Sequence, residues 1–310
     1  MRCKRGIPLN GWLIVDKPSG MTSTQVVRYA RRVFNAQKVG HAGTLDPLAT
    51  GVLPLAFGTA TKTIPYVMDG TKIYQFTLRF GESRDSDDAD GALTGCSDVR
   101  PTNDQIQKVL PSLTGDIMQT PPVFSALKVG GERSYHMARE GRAPKLSPRL
   151  ARVKRFELTQ RLNTDTAIFE VESGKGVYMR ALARDLALAC GTVGHIVALR
   201  RLRVGPFTEN RALLLDKLSL KEDTSFGLSD LLRSVEAALV DIPAVFLTRE
   251  EALSVCQGRS VALIRTESLS DSSCLLSTLG DDRVVRMIEG ECVIGIGRFV
   301  DGRLQPIRIL

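Results

Sequence analysis

The amino-acid sequence predicts an α+β fold: a mixed or antiparallel sheet flanked by helices, followed by a small β-rich C-terminal domain. Two stretches, residues 72–80 and 166–172, alternate apolar and polar side chains with the period of a half-buried strand. Helical spacing occurs between such patterns, but helices and strands do not alternate regularly enough for a doubly wound fold. Beyond residue 243 the pattern changes to short strands and glycine turns, which indicates the second domain.

The first elements are a short buried strand and an amphipathic helix. Residues 12–15 are all apolar, as in a strand that is covered on both faces. Thr22 or Ser23 is placed to cap the next helix, because a hydroxyl there accepts a hydrogen bond from an unpaired backbone N–H. The apolar side chains of this helix recur at helical spacing, and they are Val26, Val27, Ala30, Val33 and Phe34.

The middle of the chain holds the two alternating strands and a second helix. One face of the first strand carries four apolar or aromatic side chains, which are Tyr74, Phe76, Leu78 and Phe80. The second strand leads through Gly174 and Gly176 to a helix predicted over residues 178–190. Gly191 ends this helix, as glycine commonly does.

The last third of the chain is predicted to contain a linker and a small sheet. Residues 208–245 read as a linker region with an amphipathic helix at 230–240. Strands are predicted at 292–297, 298–300 and 304–310. Asp301-Gly302 is predicted to form the hairpin turn before the last strand.

The charge distribution favours a polyanionic partner. The 310 residues carry a net charge of +8, and residues 133–161 hold nine Lys or Arg against two Glu. Residues 246–310 hold eight Arg and nine acidic residues, so the attraction is expected to centre on the rest of the chain. A solvated basic face has the same composition, so the residues alone leave both interpretations open.

Composition disfavours several classes of protein. The six cysteines form no C-x-x-C pair, which fits reduced thiols in the cytoplasm, and the three histidines lack zinc-ligand spacing, so no metal is predicted. No apolar run approaches the roughly 20 residues that span a bilayer, and no hydrophobic signal core follows the basic N-terminus. Residues 58–63 lack the second glycine of a phosphate-binding loop, so no nucleotide cofactor is predicted.

An acidic loop follows the first alternating strand. Residues 81–91 contain four aspartates, and we interpret this loop as a solvated turn. A calcium loop is the alternative, but the EF-hand spacing with its terminal Glu is missing.

One carboxylate, Asp46, stands in an unusual loop. Residues 40–51 contain three glycines and a proline, which restrict the backbone around Asp46 to an uncommon conformation. No second Asp or Glu lies within the motif, so a two-carboxylate hydrolase site is not indicated. From these residues alone, Asp46 is either the cap of a short turn or a functional carboxylate.

The segment Gly43-Thr44-Leu45-Asp46-Pro47, followed by Ala49-Thr50-Gly51, resembles the catalytic motif of the bacterial tRNA pseudouridine synthase B family. Five further blocks resemble that family in the same order along the chain. They are GWLIVDKPSGMTS at 11–23, KIY at 72–74, PPVFSALK at 121–128, GVYMRALARDL at 176–186 and ALRRLRVG at 198–205. The chain differs at residues 84–86, which are Arg-Asp-Ser where the family usually has Thr-Asp-Thr.

The resemblance implies a fold, a domain division and an activity. Residues 1–240 would form a pseudouridine synthase catalytic domain. Residues 246–310 would form a PUA-like domain, a type of small domain named for pseudouridine synthases and archaeosine transglycosylases. The activity would convert a uridine in the T-loop of tRNA, position 55 in tRNA numbering, to pseudouridine. This isomerisation requires no cofactor. The partner would be the T-arm of tRNA, and the protein is expected to be a cytoplasmic monomer.

The resemblance also assigns roles to individual residues. Asp46 would be the nucleophile, and Arg180 a buried arginine that keeps it charged. Tyr74 would stack on the target base and take part in proton transfer, although periodicity alone makes it a core tyrosine. Tyr178 and Leu199 would contact the base or sugar, and His41 would fill the space of the flipped-out uridine. Phosphate contacts are expected from residues 133–161 and from Arg200, Arg201 and Arg203.

Three alternatives remain open. The chain could be a pseudouridine synthase with a different RNA target, although the ribosomal branches typically carry Arg before Leu-Asp. It could be a non-catalytic RNA-binding or tRNA-folding protein, which the intact set of Asp46, Tyr74 and Arg180 disfavours. A uracil-C5 methyltransferase would need a cysteine nucleophile and a nucleotide-cofactor loop, and neither is visible in the sequence.

Overall fold

A computed structural model of the chain describes residues 6–125, 127–142, 144, 146–219, 228–262 and 283–310. Its strands in chain order are β1 Gly11–Lys17, β2 Val39–His41, β3 Thr50–Phe57, β4 Lys72–Phe80, β5 Glu82–Arg84, β6 Leu93–Cys96, β7 Gly115–Gln119, β8 Lys128–Val129, β9 Glu132–Arg133, β10 Arg149–Arg161, β11 Thr166–Ser173, β12 Gly194–Val204, β13 Phe207–Thr208, β14 Leu213–Leu214, β15 Ala244–Phe246, β16 Val261–Ala262, β17 Val284–Glu289, β18 Cys292–Val300 and β19 Arg303–Ile309. The α-helices are α1 Ser23–Val33, α2 Ile64–Asp69, α3 Asn103–Val109, α4 Ser134–Arg139, α5 Met179–Ala189, α6 Asp216–Ser219 and α7 Arg249–Cys256.

The larger sheet has ten strands and is mixed. Its main path runs β14-β1-β3-β12-β4-β11-β10-β7, with β2 paired to β3 and β13 paired to β12. The pairs β1–β14 and β3–β12 are parallel, and the other pairs in this sheet are antiparallel. The predicted α+β fold with a mixed sheet and flanking helices is therefore confirmed.

Hydrophobic packing on the two faces of this sheet uses the period-two alternation of its strands. On one face, Leu13 and Val15 of β1 and Phe76 of β4 join the apolar sides of α1 and α5 in the main core. Trp12 and Ile14 point to the other face and join a second core. Helix α1 buries Val26, Ala30 and Phe34, and Thr22 caps it with a capping box that includes Gln25.

A second sheet of five strands, in the order β15-β17-β18-β19-β16, forms the C-terminal part of the chain. It has a core of its own around Val285, Met287 and Leu304, while Ile296 of β18 belongs to the second core of the large sheet. The predicted hairpin turn is present. Asp301 and Gly302 have φ angles of 50° and 70°, the left-handed conformation that a tight β-hairpin favours at both positions.

The prediction of an α-helix at residues 230–240 is wrong. Two short 3-10 segments, Leu228–Leu231 and Val235–Ala238, flank an extended stretch. There the backbones of Arg233 and Trp12 exchange two hydrogen bonds of 2.8 Å, which extends the edge of the large sheet. Leu239 is buried in the second core. Pairing with the sheet edge and burial of Leu239 satisfy this stretch without an α-helix.

Candidate active site

The loop that carries Asp46, residues 42–49 between β2 and β3, is called the Asp46 loop below. Its backbone is fixed at several points by the connection between β1 and α1. The N–H of Leu45 donates to Oγ of Ser23 at 2.9 Å, and the Ser23 hydroxyl donates to the carbonyl oxygen of Leu45 at 3.2 Å. The N–H of Gly20 donates to the carbonyl oxygen of Pro47 at 2.9 Å. The residues on both sides of Asp46 are therefore held in place.

Lys17 reinforces this connection from within the core. It is the last residue of β1 and fully buried, and its Nζ donates to carbonyl oxygens of Pro18 at 2.8 Å, Met21 at 2.6 Å and Pro47 at 3.2 Å. Burial lowers the pKa of Lys17 to about 8, although the nearby charge of Asp46 acts in the opposite direction. The three carbonyl acceptors hold the ammonium between the two loop segments.

Arg201 fixes the base of the Asp46 loop. Its side chain is 1% exposed and donates to the carbonyl oxygens of Val52 at 2.8 Å, Gly43 at 3.0 Å and Thr44 at 3.5 Å. Gly51 allows the backbone of Arg201 to lie close to the chain at the end of this loop. A Cβ on Gly51 would lie 2.2 Å from the carbonyl oxygen of Arg201, and its φ of 99° favours glycine. The phosphate contact expected of Arg201 is therefore wrong, because its guanidinium is buried and occupied by backbone.

Asp46 and Arg180 are in direct contact at the tip of the loop. Nε of Arg180 donates to Oδ2 of Asp46 at 2.9 Å, and Nη2 donates to Oδ1 at 3.1 Å, which forms a bidentate pair. The Arg180 side chain is 6% exposed, whereas that of Asp46 is 36% exposed. The buried arginine thus holds a carboxylate that a substrate can approach from solvent.

The acidic loop after β4 completes the surroundings of Arg180. Oδ2 of Asp88 lies 3.4 Å from Nε of Arg180, and the carbonyl oxygen of Ser86 accepts from Nη1 at 2.8 Å. The Ser86 hydroxyl donates to Oδ1 of Asp88 at 2.5 Å. Our interpretation of this loop as a solvated turn is wrong for these residues, because Ser86 and Asp88 are buried.

A second ion pair connects the same loop to α5. Nη1 of Arg184 lies 2.8 Å from Oδ2 of Asp87. Burial raises the pKa of Asp87, while the charges of Arg184 and Arg180 act against that rise. Arg180 and Arg184 are one helical turn apart, so α5 presents both guanidinium groups to the acidic loop.

Tyr178 is the residue that immediately precedes α5. Its N–H donates to Oε1 of Gln119 at 2.9 Å, and its carbonyl oxygen accepts from Nε2 of Gln119 at 3.1 Å. Gln119 ends β7 and is buried. The amide of Gln119 therefore fixes the start of α5, two residues before Arg180.

Tyr74 and Leu199 lie on adjacent strands of the large sheet. Tyr74 of β4 is opposite Arg201 of β12, and Leu199 is opposite Phe76, so Tyr74 and Leu199 share the face of the main core. The hydroxyl of Thr50, directly after the Asp46 loop, donates to the carbonyl oxygen of Leu199 at 3.4 Å. Among the described residues, no hydrogen bond joins Asp46 to Tyr74, Tyr178 or His41.

His41 ends β2, immediately before the Asp46 loop. It is opposite Leu55 of β3, and within the described part of the chain its buried Nδ1 has no hydrogen-bond partner. Burial and, to a smaller extent, the charge of Arg201 lower the pKa of His41, which favours the neutral imidazole at neutral pH.

A cleft of about 350 Å³ borders the Asp46 loop at Leu48. Its lining includes Ser19, Thr50, Gln75, Thr77, Leu199 and Arg200. Of the site residues predicted from the sequence, Leu199 lines this cleft and Asp46 does not.

Neighbouring carboxylates neutralise much of the basic run at residues 133–161. Arg142 pairs with Glu132 at 2.6 Å and also with Glu140. Other pairs join Arg152 to Asp116, Lys154 to Glu172, and Arg155 to both Glu157 and Glu170. The predicted contact of this run with phosphate stays a prediction. Lys145 lies outside the described residues.

Two further findings concern metals and membranes. In the ranges that the structure describes, no three His, Cys, Asp or Glu side chains are grouped so that they could hold a metal ion. No helix in those ranges is long and apolar enough to cross a membrane.

The roles of Lys17, Ser23 and Asp88 were not predicted from the sequence. For Lys17 a signal was present, because the period of a strand puts it on the same face as Leu13 and Val15. Ser23 was considered only as a helix cap, and the cap is Thr22. For Asp88 the run of aspartates gave no indication which carboxylate would be buried.

The mixed sheet with its flanking helices and the C-terminal sheet define the class, which is the pseudouridine synthase fold. The fold is also that of a crystal structure of a Cbf5-Nop10-Gar1 complex, with a TM-score of 0.73, 22% identity, and coverage of 97% of this chain and 84% of that chain. A structure of an H/ACA RNP bound to a substrate RNA containing 2′-deoxyuridine matches with a TM-score of 0.70, 20% identity, and coverage of 100% and 90%.

Sequence comparison identifies the family. Residues 31–179 match the TruB family pseudouridylate synthase (N terminal domain), and residues 180–240 match the tRNA pseudouridylate synthase B C-terminal domain. A tRNA pseudouridine synthase B of Gluconacetobacter diazotrophicus is 59% identical over 100% of both chains. One from Gluconobacter oxydans is 52% identical over 99% of this chain and 92% of its own. The chain belongs to the TruB family of pseudouridylate synthases and is an isomerase.

Proposed function

We propose that this enzyme converts the T-loop uridine of tRNA, position 55, to pseudouridine, with Asp46 as the nucleophile. The observation that carries the proposal is the bidentate pair of a partly exposed Asp46 with a buried Arg180. The tRNA substrate is supported by the names of relatives that are 59% and 52% identical over nearly the whole chain.

The reaction rearranges atoms of one nucleotide. The bond between N1 of uracil and C1′ of ribose breaks, the base turns, and a bond forms between C5 and C1′. The proton on C5 leaves and N1 gains a proton, so the product is an isomer of the substrate. Asp46 would form a covalent bond to the sugar carbon or to a base carbon and be released at the end as a free carboxylate. Both routes need an ionised Asp46, which the charge of Arg180 favours.

Four other residues are proposed to complete the substrate site. Tyr74 would stack on the uracil, since a base–aromatic contact contributes about 1–3 kcal/mol to binding. Leu199, on the same sheet face, would form an apolar wall beside it. Tyr178 would contact the base or sugar, and the neutral imidazole of His41 would occupy the space that the flipped uridine leaves.

The proposal extends to the organisation of the protein. Residues 1–240 would form the catalytic domain and residues 246–310 a PUA-like domain that contributes to tRNA binding. We further propose that the enzyme works in the cytoplasm as a monomer.

The first test uses an unmodified T-arm stem-loop transcript. Pseudouridine is mapped as carbodiimide adducts that stop primer extension. We expect one new stop at the T-loop uridine with the wild-type enzyme and none with Asp46→Ala. Tight binding by the variant would confirm that its fold is intact.

Asp90→Ala is the matched control, because Asp90 is exposed in the acidic loop near the site. It should modify the transcript as the wild type does. Activity in Asp46→Ala would contradict the assigned nucleophile. Tight binding by the wild type without a stop would favour the RNA-binding alternative or another target RNA.

A further inference from the structure

Helix α1 carries a stripe of basic side chains on its outer side. Arg31 and Arg32 follow Arg28 by three and four residues, which places both beside Arg28 on one face of the helix. All three are exposed. The helix buries its opposite side in the main core. We call Arg28, Arg31 and Arg32 the α1 stripe.

The sequence around the α1 stripe contains no acidic residue. Residues 17–45 include five Lys or Arg and no Asp or Glu. Across the parts of the chain that the structure covers, no ion pair involves any member of the stripe. Nε of Arg31 donates to the carbonyl oxygen of Ala36 at 3.2 Å, and the Arg32 guanidinium lies 5.7 Å from the centre of the Tyr29 ring.

This differs from the larger basic run at residues 133–161, where several guanidinium and ammonium groups already pair with carboxylates. A phosphate that binds such a pair must displace a carboxylate. A phosphate that binds the α1 stripe displaces water and counterions, and counterion release favours binding.

Helix stability alone explains only part of the stripe. Arg31 and Arg32 are in the last turn of α1, where a positive charge interacts favourably with the helix dipole. Arg28 is more than a turn from the end of α1, where this effect has declined. A hollow of about 300 Å³ is lined by Arg28, Arg31, Arg32, Asn35 and Ala36. The three charges therefore surround one concave surface.

The stripe is connected to the active site through the helix. Ser23, the first residue of α1, is hydrogen-bonded to Leu45 next to Asp46. At a rise of 1.5 Å per residue, the stripe begins about 8 Å and ends about 14 Å along the axis from Ser23. Its side chains point away from the sheet that carries Tyr74 and Leu199. The main core therefore lies between the stripe and that sheet.

We propose that the α1 stripe is a second RNA-binding surface, which contacts phosphates of the tRNA outside the T-arm. This inference rests on the proposed function, because it takes a tRNA as the substrate. The stripe would add affinity without base recognition, since arginine contacts to phosphates position a nucleic acid and do not read its sequence.

The test compares two RNAs, an unmodified full-length tRNA and the isolated T-arm stem-loop. The triple variant Arg28→Gln, Arg31→Gln, Arg32→Gln should bind the full-length tRNA about tenfold or more weakly at physiological salt. The slope of log affinity against log salt is negative, and its magnitude should decrease by about 2 to 3, as expected for the loss of two or three phosphate contacts. Binding and single-turnover rate on the stem-loop should stay within about twofold of the wild type.

The matched control is Arg28→Lys, Arg31→Lys, Arg32→Lys, which keeps the charge and should keep most of the affinity for tRNA. Equal loss on both RNAs, or no loss on either, would overturn the inference. Failure of the proposed function is distinguishable, because the wild-type enzyme would then leave the stem-loop unmodified. The comparison of binding to the two RNAs would still be readable in that case.

Discussion

The tip and the base of the Asp46 loop are each held by a buried arginine, but the two arginines bind different groups. At the tip, Arg180 binds the Asp46 carboxylate and lies 3.4 Å from Asp88. At the base, Arg201 binds three backbone carbonyl oxygens, and among the described residues it forms no ion pair. One arginine thus holds the Asp46 carboxylate, and the other holds the backbone of its loop.

At the base of the loop the acceptors are backbone carbonyl oxygens and not a carboxylate, and the geometry of arginine suits them. A buried cation without an anionic partner is unfavourable, and arginine cannot release its proton. The guanidinium offers five donors in a fixed plane, so one side chain reaches all three carbonyl oxygens. Burial lowers the pKa of Lys72 to about 8, and the charge of Arg201 contributes to this to a smaller extent.

The largest effect is expected when the tip loses its cation. Arg180→Met removes the cation that contacts both Asp46 and Asp88, and the loss of one partner leaves the other charges without their pair. We expect the single-turnover rate to fall by at least about 100-fold.

Arg180→Lys is the matched control for the tip. It keeps the charge and loses the bidentate geometry, so we expect an intermediate rate. An unchanged rate in Arg180→Met would mean that the reaction does not depend on the pairing of Arg180 with Asp46.

A smaller and different effect is expected at the base. Arg201→Met leaves carbonyl oxygens of Gly43, Thr44 and Val52 without this donor, and an unsatisfied buried group costs about 1–3 kcal/mol. We expect the free energy of unfolding, measured by urea denaturation, to fall by about 2 kcal/mol or more. The turnover rate should fall by about tenfold.

A loss of turnover rate in Arg201→Met as large as in Arg180→Met would end the distinction between tip and base. Arg201→Lys tests the geometry, because one ammonium cannot reach all three carbonyls in the plane of the guanidinium. Its stability should lie between those of the wild type and Arg201→Met.

The smallest effect is expected at His195, a buried side chain that binds a backbone carbonyl oxygen and, unlike arginine, can be neutral. His195 is 1% exposed, and its Nδ1 lies 2.9 Å from the carbonyl oxygen of Glu82, so this nitrogen carries the proton. Burial lowers the pKa of His195 below its usual 6.5. Below pH 6.5 the unfolded chain therefore takes up a proton before the folded protein does, and stability decreases.

The expected decrease is at most about 1.4 kcal/mol per pH unit, and it stops at the folded-state pKa of His195. His195→Asn keeps a donor for the Glu82 carbonyl and removes the titration. The difference in unfolding free energy between this variant and the wild type should therefore change between pH 6.5 and pH 5. A difference that is constant with pH would show that His195 has the same pKa in both states.

Sequence patterns predicted the framework because periodicity reflects which side chains are buried. The strand at residues 72–80 and the helix after Thr22 lie where the apolar spacing placed them. The contact of Asp46 with Arg180 was implied by resemblance to a family and not by spacing, because 133 residues separate them. A pattern in one chain gives no distance between such positions.

Which charged side chains are buried could not be predicted. Arg200 and Arg201 are adjacent, and strand periodicity places them on opposite faces without showing which is buried. Arg200 binds Asp16 and Glu209, while Arg201 enters the core. The helix predicted at 230–240 failed for a related reason, since amphipathic spacing contains no information about a sheet edge with open backbone groups at Trp12.

The burial of Lys17 has a consequence for chemical labelling. An amine with no exposed surface reacts with an acylating reagent only while the surrounding backbone is open. Since Nζ is hydrogen-bonded to both Met21 and Pro47, that opening separates the Asp46 loop from the connection between β1 and α1. The acylation rate of this one lysine therefore reports how often the Asp46 loop comes apart, and RNA that closes over the loop would slow it.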